Sequence, residues 1–210
     1  MRLNRTLIAL AAVAATSGLA AGCGNANLGR SPSQVSVTVL EAASGAKPDD
    51  FANTMLSDVE TLVKRTIDGQ QVRVPTVFDD FGRVTLTAFL RDPGPAGNPT
   101  SPSSVNNVTF TRYRVVYRRA DGRNTPGLDV PYAFDSGMTF TVPAGGSASG
   151  SFEIVRHLAK EEAPLKALVN NGQMIATIAD VSFYGKDQSG NDVTVTGSIG
   201  INFGNFGDPD

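Results

Sequence analysis

Apolar and polar residues alternate with a period of two through most of this chain. In "QVSVTVL", residues 34–40, Val35, Val37 and Val39 fall on one side, which predicts a strand buried on one face. The run 83–90, "RVTLTAFL", sets Val84, Leu86 and Ala88 against Thr85, Thr87 and Phe89 in the same way. The stretch 108–119, "VTFTRYRVVYRR", is the richest in β-forming residues. There Tyr113, Val115 and Tyr117 share one face, and Arg112, Arg114 and Arg118 share the other. Two further strands, 137–143 and 149–157, flank the small-residue turn "AGGSA". The last two runs, 174–187 and 192–203, flank "QSGN". In the second of them Val193, Val195, Ile199, Ile201 and Phe203 line up on one side. Two alternating runs around a short Gly-containing loop predict a β-hairpin.

The remaining segments are less regular. In 50–65, Phe51, Met55, Val59, Leu62 and Val63 fit a helical period, whereas Val59, Thr61 and Val63 fit a strand. The pattern is read as a helical turn near 51–56 followed by a strand at 58–65. One helix is expected over about 163–170. Pro164 suits its first position, Glu161 and Glu162 sit where a helix dipole favours anions, and Leu165, Leu168 and Val169 form an apolar stripe that Gly172 ends. "DPGPAGNPTSPSS", 92–104, has four prolines and two glycines and cannot form a ladder. Seven to nine strands punctuated by Gly/Pro turns predict an all-β chain, an antiparallel β-sandwich with one short crossover helix.

The N-terminus follows a different pattern. Arg2 and Arg5 precede an uninterrupted apolar run, 7–15, and small residues lead to Gly22. That order predicts a secretory signal peptide over 1–22. The run is about half of the ~20 apolar residues that a membrane-spanning helix needs. Cys23, the only cysteine, follows at once. Leu19-Ala20-Ala21-Gly22-Cys23 resembles the lipobox of bacterial lipoproteins, with the aliphatic residue four rather than three positions before the cysteine. The resemblance implies that Cys23 carries a diacylglyceryl group, palmitate being a typical chain, and becomes the mature N-terminus. Each buried CH₂ contributes about 0.8 kcal/mol, and one chain alone holds only marginally. Two or three chains anchor a protein stably. Small polar residues then make 23–33 a flexible tether, and 34–207 is read as a single domain. The expected location is the cell envelope, at the outer membrane or cell surface.

Cleavage before Cys23 leaves 188 residues with 16 basic and 20 acidic side chains. This acidic balance argues against nucleic-acid binding, which needs a basic surface. Cys23 is the sole thiol, so no disulfide can staple the domain. Tryptophan is absent, which disfavours a sugar-stacking module. "YRVVY", 113–117, and "FYGKDQSGNDVTVTG", 183–197, are similar to immunoglobulin-like and fibronectin type III-like domains. The whole also resembles a group of uncharacterised bacterial lipoproteins. The Cys…Trp…Cys mark of true immunoglobulin domains is missing.

Candidate chemistry is sparse. His157 is the only histidine, it ends an alternating strand, and the chain has no G-x-S-x-G elbow, so no catalytic residue is assigned. No glycine loop or fingerprint calls for a cofactor. Asp187, Ser189, Asn191 and Asp192 in "DQSGND" offer oxygen ligands for a hard cation such as calcium. Asp79 and Asp80, Asp121 and Asn124, and Asp208 and Asp210 do so as well. Turn chemistry accounts equally for these residues, because Asp and Asn bond their own main chain. The stripe Arg112, Arg114, Arg118 is a candidate site for a polyanion, against the plainer reading of a solvated sheet face. The function expected from the sequence is a non-catalytic membrane-anchored lipoprotein. It displays a sandwich domain for a protein partner or for envelope structure, the alternative being a ligand- or calcium-binding module.

Overall fold

The alternating runs become strands. A computed structural model describes residues 30–208. The signal peptide, Cys23, most of the tether and Asp210 lie outside the described residues.

Strand β1 (Ser33–Ala43), β5 (Asp80–Leu90) and β8 (Ser147–Val155) form one sheet in the order β1-β5-β8. Strand β2 (Thr54–Asp58), β6 (Val108–Arg118), β7 (Phe134–Val142), β9 (Ile175–Asp187) and β10 (Asp192–Gly204) form a second, in the order β2-β10-β9-β6-β7. Neighbours pair antiparallel except β2, which runs parallel to β10. The chain is thus an all-β sandwich. Rings interlock between its layers: Phe152 of β8 lies 5.1 Å from Tyr113 and 5.3 Å from Phe183, both edge-on. Tyr117 buries its hydroxyl by donating to the Ile154 carbonyl oxygen in the opposite sheet, at 2.5 Å.

Two bulges decide which side chains reach this core. In β6 Val108 and Phe110 point inward, yet so do Tyr113, Val115 and Tyr117, one step out of phase. The register shift between Phe110 and Arg112 absorbs the mismatch, because an extra residue reverses the side of everything after it. A second shift, between Val37 and Val39, does the same in β1. Val35 and Val37 pack on the core, but Val39 turns outward and Leu40 takes its place. The expected single face of Val35, Val37 and Val39 therefore breaks after Val37.

Gly185 of β9 faces the β6 bulge. A Cβ there would run into the Thr109 carbonyl oxygen and Phe110 Cα, backbone atoms that cannot step aside. Gly185→Ala is expected to lower stability by about 1–3 kcal/mol. The check is the denaturant midpoint; an unchanged midpoint would show that β6 runs straight at this point.

Three further expectations are corrected. Residues 51–56 contain no helical turn; Thr54–Asp58 is a strand whose backbone groups satisfy the edge of β10. The strand expected at 58–65 begins at Thr61 and is half of a hairpin that the alternation did not reveal, β3 (Thr61–Ile67) with β4 (Gln70–Thr76). Asp68 and Gly69 join them with φ of 51° and 76°, the left-handed pair of a two-residue hairpin turn. The helix expected at about 163–170 is a 3-10 turn, Leu165–Leu168, whose three-residue repeat buries both leucines on one side. The α-helical turn lies upstream, α1 (His157–Lys160). Among the described residues, no helix is long and apolar enough to cross a membrane.

Candidate functional site

Strand direction gives the sandwich two unlike ends. The described chain enters at one of them, where Arg91 Nε donates to the Ser31 carbonyl oxygen at 3.0 Å and Ser33 Oγ donates to that of Asn106 at 2.6 Å. Ser31 and Ser33 are buried, so this entry point is held to the proline-rich loop before β6. The turns 143–146 and 188–191 lie at the same end. At the far end are the loop 44–53, the β3–β4 hairpin, the loop 119–133, the crossover 156–174 and residues 205–208.

The far end also carries large apolar side chains in water. Leu128, Tyr132, Leu158 and Met174 are all more than half exposed, Leu128 the most at 70%. Tyr132, Phe134 and Leu158 line a recess of about 110 Å³. A second recess, of about 230 Å³, lies beside β2 between Met55, Leu56 and Phe206 and is edged by Lys47, Asp50 and Asp58. Both are smaller than the roughly 300–1,000 Å³ of pockets that enclose a small ligand; their size suits single side chains of a partner. A wider depression of about 450 Å³ carries Glu60, Glu161, Glu162 and Lys166, giving this end an acidic margin.

Beneath the same end lies a fully buried polar cluster. Lys160 of α1 and Asp80 at the start of β5 are both 0% exposed, with Nζ 2.7 Å from Oδ1. Asp80 Oδ1 also accepts the Gly45 N–H at 2.9 Å, and Oδ2 accepts the Ser57 hydroxyl at 2.6 Å. Burial pushes the Asp80 carboxyl above the usual range, against the pull of Lys160. Lys160 was not legible as a functional residue. In the sequence it is one charge among three in "AKEE", and only the fold turns it inward.

The structure places the predicted site residues as follows. Arg112 and Arg114 both donate to Asp135, at 3.2 and 2.6 Å, and Arg112 also lies over the Tyr184 ring at 4.2 Å. Arg118 grips Asp180 through two nitrogens. The stripe therefore lies on one exposed sheet face, as its alternation predicts, but its charges meet carboxylates on neighbouring strands. Asp187 serves its own turn, with Oδ1 accepting the Ser189 and Asn191 N–H groups and Oδ2 the Asn191 amide. These bonds hold its carboxyl below the ordinary value, although burial pushes the other way. Asp192 pairs with Lys186 at 2.9 Å. Asp121 is clamped by Arg119 and Arg123, Asn124 accepts the Arg119 N–H, and Asp208 accepts the Leu62 N–H. Among the described residues no three His, Cys, Asp or Glu side chains are grouped to hold a metal.

His157 opens α1, and its ring is exposed. Asp79 Oδ1 accepts its backbone N–H at 2.6 Å and lies 2.8 Å from Nδ1. The bond to Asp79, with that carboxylate's charge, raises the His157 pKa above its ordinary 6.5. A raised folded-state pKa stabilises the fold fully below the unfolded value, and the gain is lost as pH rises through the folded one. NMR titration of this sole histidine is expected to show a midpoint above 6.5 that falls in Asp79→Asn. A wild-type midpoint at or below 6.5 would mean that the contact does not persist in solution. No family model, curated protein or solved structure matches the chain.

Proposed function

We propose that this chain is a non-catalytic lipoprotein, tethered through Cys23 to a membrane of the cell envelope, that holds a protein partner at the far end of an immunoglobulin-like sandwich. One observation carries the reading: the fold is polar. The described chain enters at one end, where Phe89 and Val105 are the large apolar side chains more than half exposed, and six such side chains, Leu56, Ile67, Leu128, Tyr132, Leu158 and Met174, lie towards the other. A lipid at residue 23 would keep the entry end towards the bilayer and present the far end outward. Exposed apolar groups beside side-chain-sized recesses, rimmed by acidic residues, are features of a protein-binding surface. The strand order β1-β5-β8 against β10-β9-β6-β7 supports the immunoglobulin-like assignment, since such sandwiches also set a first, second and fifth strand against the third, sixth and seventh. The far-end hairpin β3–β4 is an addition to that plan.

The test has two parts. Cys23→Ser is expected to move the protein from the membrane to the aqueous fraction; wild-type protein that partitions into water would end the anchoring claim. A photo-crosslinking residue at Leu128 is expected to trap a discrete protein adduct in cells, whereas one at Val105, near the entry end, is not. Adducts that form equally from both positions would contradict the assigned polarity.

A further inference from the structure

The Lys160–Asp80 contact sets Nζ against a carboxyl oxygen in an enclosed, hydrogen-bonded site. We propose that the folded chain joins them, closing an intramolecular amide between Lys160 Nζ and Asp80 Cγ.

The geometry supplies what the condensation needs. Nζ lies 2.7 Å from Oδ1, and both side chains are wholly enclosed. The first step is the passage of one proton from the ammonium to Oδ1 along that contact, which leaves an amine beside an acid in the enclosed site. The nitrogen lone pair then attacks Cγ. Negative charge develops on Oδ2, which accepts the Ser57 hydroxyl at 2.6 Å. As the carbonyl re-forms at Oδ2, the Cγ–Oδ1 bond breaks. Oδ1 leaves as water, carrying the proton it already holds and a second from nitrogen. The Gly45 N–H, at 2.9 Å, fixes this leaving oxygen. Nothing is oxidised or reduced, and no co-reactant is required. Holding the two groups in contact replaces a bimolecular encounter, an advantage that reaches about 10⁵–10⁸ M in effective concentration. An enclosed ion pair loses much of its attraction to desolvation, whereas the neutral amide does not.

The bond would join positions 80 residues apart, β5 to α1, beneath the far end of the sandwich. A chain whose sole cysteine is Cys23 has no disulfide with which to do this.

Tryptic mapping of the purified full-length chain tests the proposal. The expected product is one branched species, Val74–Arg83 joined to His157–Lys166, uncut at Lys160 and lighter than the two peptides by one water. Lys160→Arg keeps a cation beside Asp80 but lacks the amine, and is expected to be cut after position 160, yielding Val74–Arg83, 157–160 and Glu161–Lys166 as three separate peptides with no loss of mass. Free Val74–Arg83 together with cleavage after Lys160 in the wild type would overturn the proposal, whatever the stability of the variant.

Discussion

Lys160→Met, with Asp80 left in place, is expected to lower the free energy of unfolding by about 3–5 kcal/mol, the usual cost of orphaning one member of a buried charge pair. Asp80 keeps the Ser57 and Gly45 donors but loses its only cation, at a position with no access to water. Replacing both, as Lys160→Met with Asp80→Leu, is expected to recover much of that loss, because no charge is left buried. An amide between the two residues would add the loss of a cross-link to the first figure. The single variant also has a signed pH dependence. Burial raises the Asp80 carboxyl even beside Lys160, and more so without it. A carboxyl raised in the folded state leaves stability intact below its unfolded pKa of about 3.9 and weakens the fold as pH rises through the folded value. Chemical denaturation of Lys160→Met at several pH values should therefore show relative gain on acidification. A single variant as stable as the double one would mean that Asp80 is solvated.

Phe183→Ala is expected to have a similar effect, a loss of about 3–5 kcal/mol. Its ring is fully buried where the two sheets meet, 5.3 Å from Phe152 and 6.5 Å from Tyr113. Truncation removes the edge-to-face contact with Phe152 and leaves a cavity. The walls of that cavity belong to hydrogen-bonded strands and cannot close over it. Domains of this kind are stable by only about 5–15 kcal/mol, so the change removes a large fraction of the total. The denaturant midpoint should fall with little change in slope. A loss below about 1 kcal/mol would place this ring away from the centre of packing.

Both positions show what a sequence can display and what it cannot. The alternating run that holds Phe183 was visible, and its pairing with 192–203 was marked by the tight loop between them. The same holds for Val84, Leu86 and Ala88, and for Tyr113, Val115 and Tyr117, all buried as their period implies. The hairpin at 61–76 was less visible. Asp68-Gly69 is a hairpin signal in itself, but both flanking strands are largely exposed, so their apolar pattern is faint.

Alternation by itself determined that this chain builds sheets, where most strands lie and, between bulges, which face is apolar, because side chains on a strand change sides at every residue. The N-terminal pattern likewise set the expectation of a lipid anchor. Only the tertiary structure decided the rest. The bulges after Val37 and Phe110 shift the phase within a strand, and they form because a partner strand demands it. Cross-strand register brought Asp135 and Asp180 to the arginine stripe, and packing of the crossover drove Lys160 onto Asp80. Such contacts join residues tens of positions apart, and no local periodicity carries information about which distant residue will stand opposite.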